Sequence, residues 1–139
     1  MIGSIMDGMT PIVDIQLPWP PRELSPNARL HWAMVYRAKA KYRDHCWALT
    51  RDQNPPAVPP SIPLQLDLTF VPPDRRSYDS DNLLARMKAG IDGMADALMI
   101  DDKRFRKSSS SVSADSVGGF VQVRIYPFSQ GDSDGKKDL

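Results

Sequence analysis

The residues with the most chemical potential lie between positions 74 and 104, DRRSYDSDNLLARMKAGIDGMADALMIDDKR, where seven aspartates and several cations are packed into one stretch. The chain as a whole has sixteen aspartates and one glutamate, Glu23. Short carboxylates of this kind suit helix caps, turns and hard-metal sites. At about 100° per residue, with Asp81 at zero, Lys88 falls at about −20° and Asp92 at about +20°, so the three share one helix face. Aspartates converging on a cleft could hold magnesium, which takes a few carboxylate oxygens plus waters. A neighbouring lysine could orient water or meet charge developing on a phosphate. The competing reading is purely structural: Asp79 or Asp81 caps the helix and complements its dipole, and Asp101 and Asp102 sit in a solvated turn. An EF-hand is excluded, because Asp79-Ser80-Asp81 is followed by Leu83 at the third ligand position and by no glycine at the sixth.

The elements that must position these groups follow from periodicity. Leu83, Met87, Ile91, Met94 and Leu98 repeat at helical spacing, which predicts a helix from about 79–82 to 98, with its apolar stripe well away from the charged one. Gly90 and Gly93 weaken that helix and permit close packing against a neighbour. Asp101 and Asp102 follow the helix and Asp79 precedes it, so the two groups meet only if the next loop folds back or a partner chain supplies one of them. Leu64, Leu66, Leu68 and Phe70 alternate with Gln65, Asp67 and Thr69, a clear strand; Val121, Val123 and Ile125 form a second, after a Gly118-Gly119 turn. Residues 12–17 read as a short strand halted by Pro18-Trp19-Pro20-Pro21. A helix is expected over about 28–51, opening after Ser25-Pro26-Asn27, with Val35, Ala38, Tyr42, Cys46 and Leu49 on its inner face and Arg37, Lys39, Lys41 and Arg43 largely on other faces. Five prolines in residues 53–63 make a stiff connector. A further strand near 105–112 is expected despite four consecutive serines.

These elements describe an α/β fold: a small single domain with a short mixed sheet packed against two main helices. Residues 1–11 are expected to be a flexible N-terminus, 12–127 the domain, and 128–139 a disordered tail. At 139 residues and 15.6 kDa, two independently cored domains are ruled out. The hydrophobic share of 41% supplies a core and argues against wholesale disorder. One cysteine, Cys46, excludes a disulfide framework and a cysteine-clustered zinc site and points to the cytoplasm; no segment reads as a membrane span. The net charge of +1 conceals an excess between Arg22 and Lys107, fifteen bases against eleven acids, which is compatible with a nucleic-acid partner. His31 and His45 lie about four turns apart on one expected helix and cannot share a metal. Cys46 reads as a small core residue and Trp32 and Trp47 as core or interface, although all three tryptophans, Trp19 included, could stack on bases. No glycine-rich phosphate loop or nucleophile elbow is present.

Four segments occur together in order: IQLPWPP at 15–21, DxDN at 79–82 followed by Lys-x-x-x-Asp at 88–92, DD at 101–102, and GGFVQVRIY at 118–126. This set resembles the RusA family of Holliday junction resolvases, small endonucleases of phages, prophages and bacteria, over about residues 12–127. The resemblance implies a homodimer in the cytoplasm of a bacterial or phage-infected cell that makes paired magnesium-dependent nicks in four-way DNA junctions during recombination and repair, with manganese able to substitute. It further implies Asp79, Asp81 and Asp102 as metal ligands and Lys88 as the essential lysine, with Asp92 and Asp101 in support. Arg75, Arg76, Lys103 and Arg104 are the expected DNA contacts. In the family pattern the lysine follows the second aspartate by four residues; here that position is Ala85, and a three-residue insertion restores Lys88 and Asp92 together. The alternatives are a catalytically inactive junction-binding homologue and a general branched-DNA nuclease.

Overall fold

Leu64, Leu66, Leu68 and Phe70 are all buried, and the strand that carries them lies inside the sheet. In the computed structural model, which describes residues 10–114 and 117–128, the strands are β1 (Val13–Pro18), β2 (Leu64–Val71), β3 (Phe105–Val112) and β4 (Phe120–Pro127). Their order is β1-β4-β2-β3, with β4 antiparallel to both β1 and β2, and β3 parallel to β2. A parallel pair needs a long crossover, and the helix α2 (Ser80–Leu98) provides it, so β2-α2-β3 is one continuous unit. The other helix, α1 (Trp32–Asp52), joins β1 to β2. The expected α/β architecture, a small single domain with a mixed sheet and two helices, is the one observed.

Both helices pack on one face of the sheet. Tyr42 and Cys46 of α1 and Leu83, Met87 and Met94 of α2 share a single core with Val13, Ile15, Leu17, Val121, Val123 and Ile125. Where the helices meet, glycine is required. A Cβ on Gly90 would lie 2.5 Å from the Tyr42 ring and 2.9 Å from the Cys46 sulfur, and one on Gly93 would strike the Arg43 carbonyl oxygen. The opposite sheet face is polar, as expected of a sheet covered on one side. There Asp14, Arg124, Asp67 and Ser109 lie in one cross-strand row, with the Ser109 hydroxyl donating to Asp67 at 2.9 Å and Arg124 3.4 Å from Asp14.

Two local expectations are corrected, and the strand expected near 105–112 is present. Helix α1 opens at Trp32 rather than near Ala28, because Ser25 and Asn27 are committed to a turn in which the Ser25 hydroxyl accepts the Asn27 N–H, and His31 supplies the cap by accepting the Ala33 N–H at 3.1 Å on Nδ1. Trp32 is not a core residue; it is 74% exposed, and Trp47 is exposed as well. The serine-rich segment is a full strand, β3, which tolerates serines because it is an edge strand with little of its surface buried. The expected tail falls mostly outside the described residues, as does most of the N-terminal segment. Among the described residues no helix is long and apolar enough to cross a membrane.

Candidate active site

The two ends of α2 carry the acidic residues, and each end is shaped by a different local device. At its start Asp79 is the N-cap, its carboxylate accepting the Asp81 N–H at 3.0 Å while its carbonyl accepts the Leu83 N–H. The capping reading of Asp79 is therefore correct as far as it goes: one carboxylate oxygen serves the helix. Asp81 is exposed in the first turn, where its charge complements the helix dipole.

The loop that delivers Asp79 is stapled by groups that sequence reasoning missed. Asp74 accepts hydrogen bonds from Arg76 Nε at 3.1 Å, Nη2 at 2.9 Å and backbone N–H at 3.1 Å, and from the Tyr78 hydroxyl at 3.0 Å. The Arg76 side chain and backbone donors hold the Asp74 carboxyl down to about 2. Tyr78 then stacks edge-on with Trp19, ring centroids 5.3 Å apart, and Trp19 also meets Phe70. Behind them Arg86 is only 8% exposed; its Nη2 donates to the Pro20 carbonyl at 2.7 Å and its guanidinium lies 5.9 Å from the Trp19 ring centroid. The Pro-Trp-Pro-Pro run was legible as a rigid loop. Its role as the wall against which Arg86 and Tyr78 pack was not, because that depends on contacts between segments far apart in sequence, Arg86 with Pro20 and Tyr78 with Trp19.

At the other end of α2 the chain reverses. Met99 adopts the left-handed conformation, φ 60° and ψ 42°, the Ile100 N–H reaches back to the Ala95 carbonyl at 3.0 Å and the Met99 N–H to that of Asp96 at 3.1 Å. This is a Schellman motif with methionine where glycine is usual. The next residues turn back along the helix, so that Asp102 Oδ2 lies 3.8 Å from the Lys88 amine, which is also 3.4 Å from Asp92. Of the adjacent pair, Asp101 caps the short 3-10 turn Asp102–Arg104 by accepting the Lys103 N–H at 2.9 Å, and Asp102 is the one that faces the lysine. Asp92, Asp96, Asp101 and Asp102 line a cleft of about 500 Å³ whose far side is Arg43, ion-paired with Asp96.

The structure thus brings together Lys88, Asp92 and Asp102, and separately Asp79 and Asp81. Asp81 and Lys88 are seven residues apart on one face, about 10 Å along the axis. Among the described residues, no three histidine, cysteine, aspartate or glutamate side chains stand close enough together to form a ready-made metal cage. The donor set still suits magnesium in kind. It is all oxygen and largely exposed, and magnesium is commonly held by one or two carboxylates together with water and substrate phosphate. Arg75, Arg76 and Ser77 line a groove of about 300 Å³ beside Asp74, at the carboxyl ends of the parallel strands, with Val112 and Ser113 on its other side. Lys103 is exposed, whereas Arg104 spends its guanidinium on the Pro59 and Ile62 carbonyls and tethers the proline-rich connector.

No protein-family model matches the chain. A protein of Xylella fastidiosa strain Temecula1, described as an uncharacterized protein, is 40% identical over 107 residues, which cover 76% of this chain and 70% of that one.

Proposed function

The chain belongs to the family of that Xylella fastidiosa protein, and we propose that it is a RusA-like, magnesium-dependent endonuclease that resolves four-way DNA junctions by paired nicks. One observation carries the reading: the turn after α2 folds back and sets Asp102 beside Lys88, on the helix face that also bears Asp81.

The resemblance assigns magnesium to Asp79, Asp81 and Asp102; the structure sets Asp102 apart from the other two, so Asp79 and Asp81 would hold the ion together with water and substrate phosphate. When bound, the ion would supply Lewis-acid stabilisation of phosphate charge and a more acidic water. The chain's own residues do the rest. Asp92 and Asp102 flank the Lys88 amine and hold it on the acidic face, where a cation can meet the charge that builds on a phosphodiester as it is cut. Arg75 lines the groove beside Asp74, in the loop that leads to Asp79, where it can receive phosphates of a strand entering the site, whereas Arg76 is tied to Asp74. The cleavage ends expected from the resemblance are 5′-phosphate and 3′-hydroxyl. A bacterial or phage-infected cytoplasm is the corresponding location.

A second reading, a junction-binding protein without turnover, draws support from the separation of the two acidic groups and from the capping duty of Asp79. Nicking of a mobile four-way junction, compared with linear duplex and with a general branched substrate, each with and without magnesium, separates the readings. The expected result is paired nicks in the four-way junction with magnesium only, abolished in Asp81→Asn while junction binding is retained or tightened, because that change removes a ligand charge and also some repulsion toward phosphate. Wild-type nicking by Asp81→Asn would eliminate the site.

A further inference from the structure

Helix α1 begins with a surface that the carboxylate site does not use. Trp32 is 74% exposed and Tyr36 67%, and as an i,i+4 pair they stand side by side on the helix. His31 lies against the indole with ring centroids 5.7 Å apart and planes 29° from parallel, which restrains Trp32 while it remains open to solvent. Large aromatics left in water are expensive unless something comes to cover them.

Charge identifies what that is. From residue 24 to residue 43 the sequence holds Arg29, Arg37, Lys39, Lys41 and Arg43 and no acid. Arg43 is paired with Asp96, but Arg29, Arg37, Lys39 and Lys41 form no ion pair among the described residues. All four of these cations are exposed, and by helical spacing Lys39 shares the face of Trp32 and Tyr36. A second copy of the chain docked here would bring two sets of unpaired cations together, which is unfavourable. A polyanion with bare aromatic faces satisfies both features at once: phosphates meet the cations and unstacked bases lie on the rings.

We propose that the first two turns of α1 form a platform for unpaired nucleotides, with Trp32 and Tyr36 as base-stacking groups and, as backbone contacts, Lys39 on the same face and Arg29 just before the helix. The platform goes beyond the nuclease reading and does not depend on it, since binding here needs neither the aspartates nor magnesium.

The test is fluorescence anisotropy with a labelled oligothymidine single strand and a labelled linear duplex of equal length, in chelator so that nothing is cut. Trp32→Ala is expected to weaken single-strand binding about tenfold or more, in line with the usual effect of losing one stacking partner. Tyr36→Ala should behave similarly, Trp32→Phe should restore most of the affinity, and duplex binding should change little in all three. An unchanged circular dichroism melt is expected, because both rings are exposed. The proposal is overturned if the wild-type chain does not bind the single strand, if Trp32→Ala leaves single-strand binding intact or weakens duplex to the same extent, or if light scattering shows Trp32→Ala turning a dimer into a monomer, which would make this face a contact between copies. A chain that binds the single strand through Trp32 but never nicks a junction would remove the nuclease reading alone.

Discussion

Lys88 and Arg86 are two residues apart on one helix and illustrate how position divides labour between cations. The Lys88 side chain is 70% exposed and its ion pairs with Asp92 and Asp102 are open to water, so they add little to stability. Arg86 is buried, donates to the Pro20 carbonyl and leaves its Nε without a partner. Burial disfavours the charged form and lowers its pKa, yet an arginine in this setting stays ionised at any working pH. The two alanine variants should therefore separate activity from stability. Lys88→Ala is expected to slow junction nicking about tenfold to a thousandfold, as loss of an electrostatic contact does, with an unchanged melting curve. Arg86→Ala loses a charge-assisted hydrogen bond and the packing of Trp19 against the helix, and should cost about 2–3 kcal/mol in denaturant unfolding. Stopped nicking assays beside urea titrations would check this; the reverse pattern would mean that the buried guanidinium, not Lys88, serves the reaction.

At the scale of the element, the decisive feature is the end of α2. Met99 holds a left-handed conformation that costs an L-residue about 1–2 kcal/mol, while its side chain is almost entirely in solvent and repays little. Met99→Gly relieves the strain but enlarges the unfolded ensemble, at roughly 0.5–1 kcal/mol, so a net gain of up to about 1 kcal/mol is expected. Thermal unfolding followed by circular dichroism should show a higher midpoint, with nicking unchanged; a lower midpoint would mean that the Met99 side chain has a partner in solution.

The same motif explains what could and could not be read in advance. The strands β2 and β4 and the body of α2 were legible because Leu64 to Phe70, Val121 to Ile125 and Leu83 to Leu98 repeat at the period of their element, and the close approach at Gly90 and Gly93 was legible from the glycines themselves. The shared face of Asp81, Lys88 and Asp92 came from the same periodicity. The return of Asp102 to Lys88 was legible only as a condition, because the residue that turns the chain is a methionine and carries no turn signal. The start of α1 was misplaced for a similar reason: His31 caps it through a ring nitrogen, while the more usual capping residues Ser25 and Asn27 bond elsewhere. The loop network of Asp74, Tyr78, Trp19 and Arg86 left no periodic trace, since each of its members gains meaning only from tertiary neighbours.

For the whole molecule the question is how many sites act together. The β2-α2-β3 unit places one acidic face on each chain, and a four-way junction presents two symmetry-related strands to be cut. Two chains related by a two-fold axis would match the symmetry of that substrate. One chain acting alone would have to release and rebind between cuts, and the two nicks would then appear at different times. Multi-angle light scattering at micromolar concentration is accordingly expected to give about twice the 15.6 kDa of a single chain. On a junction placed in a supercoiled plasmid, where the first nick relaxes the substrate, paired cutting within one complex should yield linear product with little free nicked circle. A chain that remains monomeric on junction DNA and accumulates nicked circle would exclude paired resolution, and would leave a single-site branched-DNA nuclease as the activity consistent with the same acidic face.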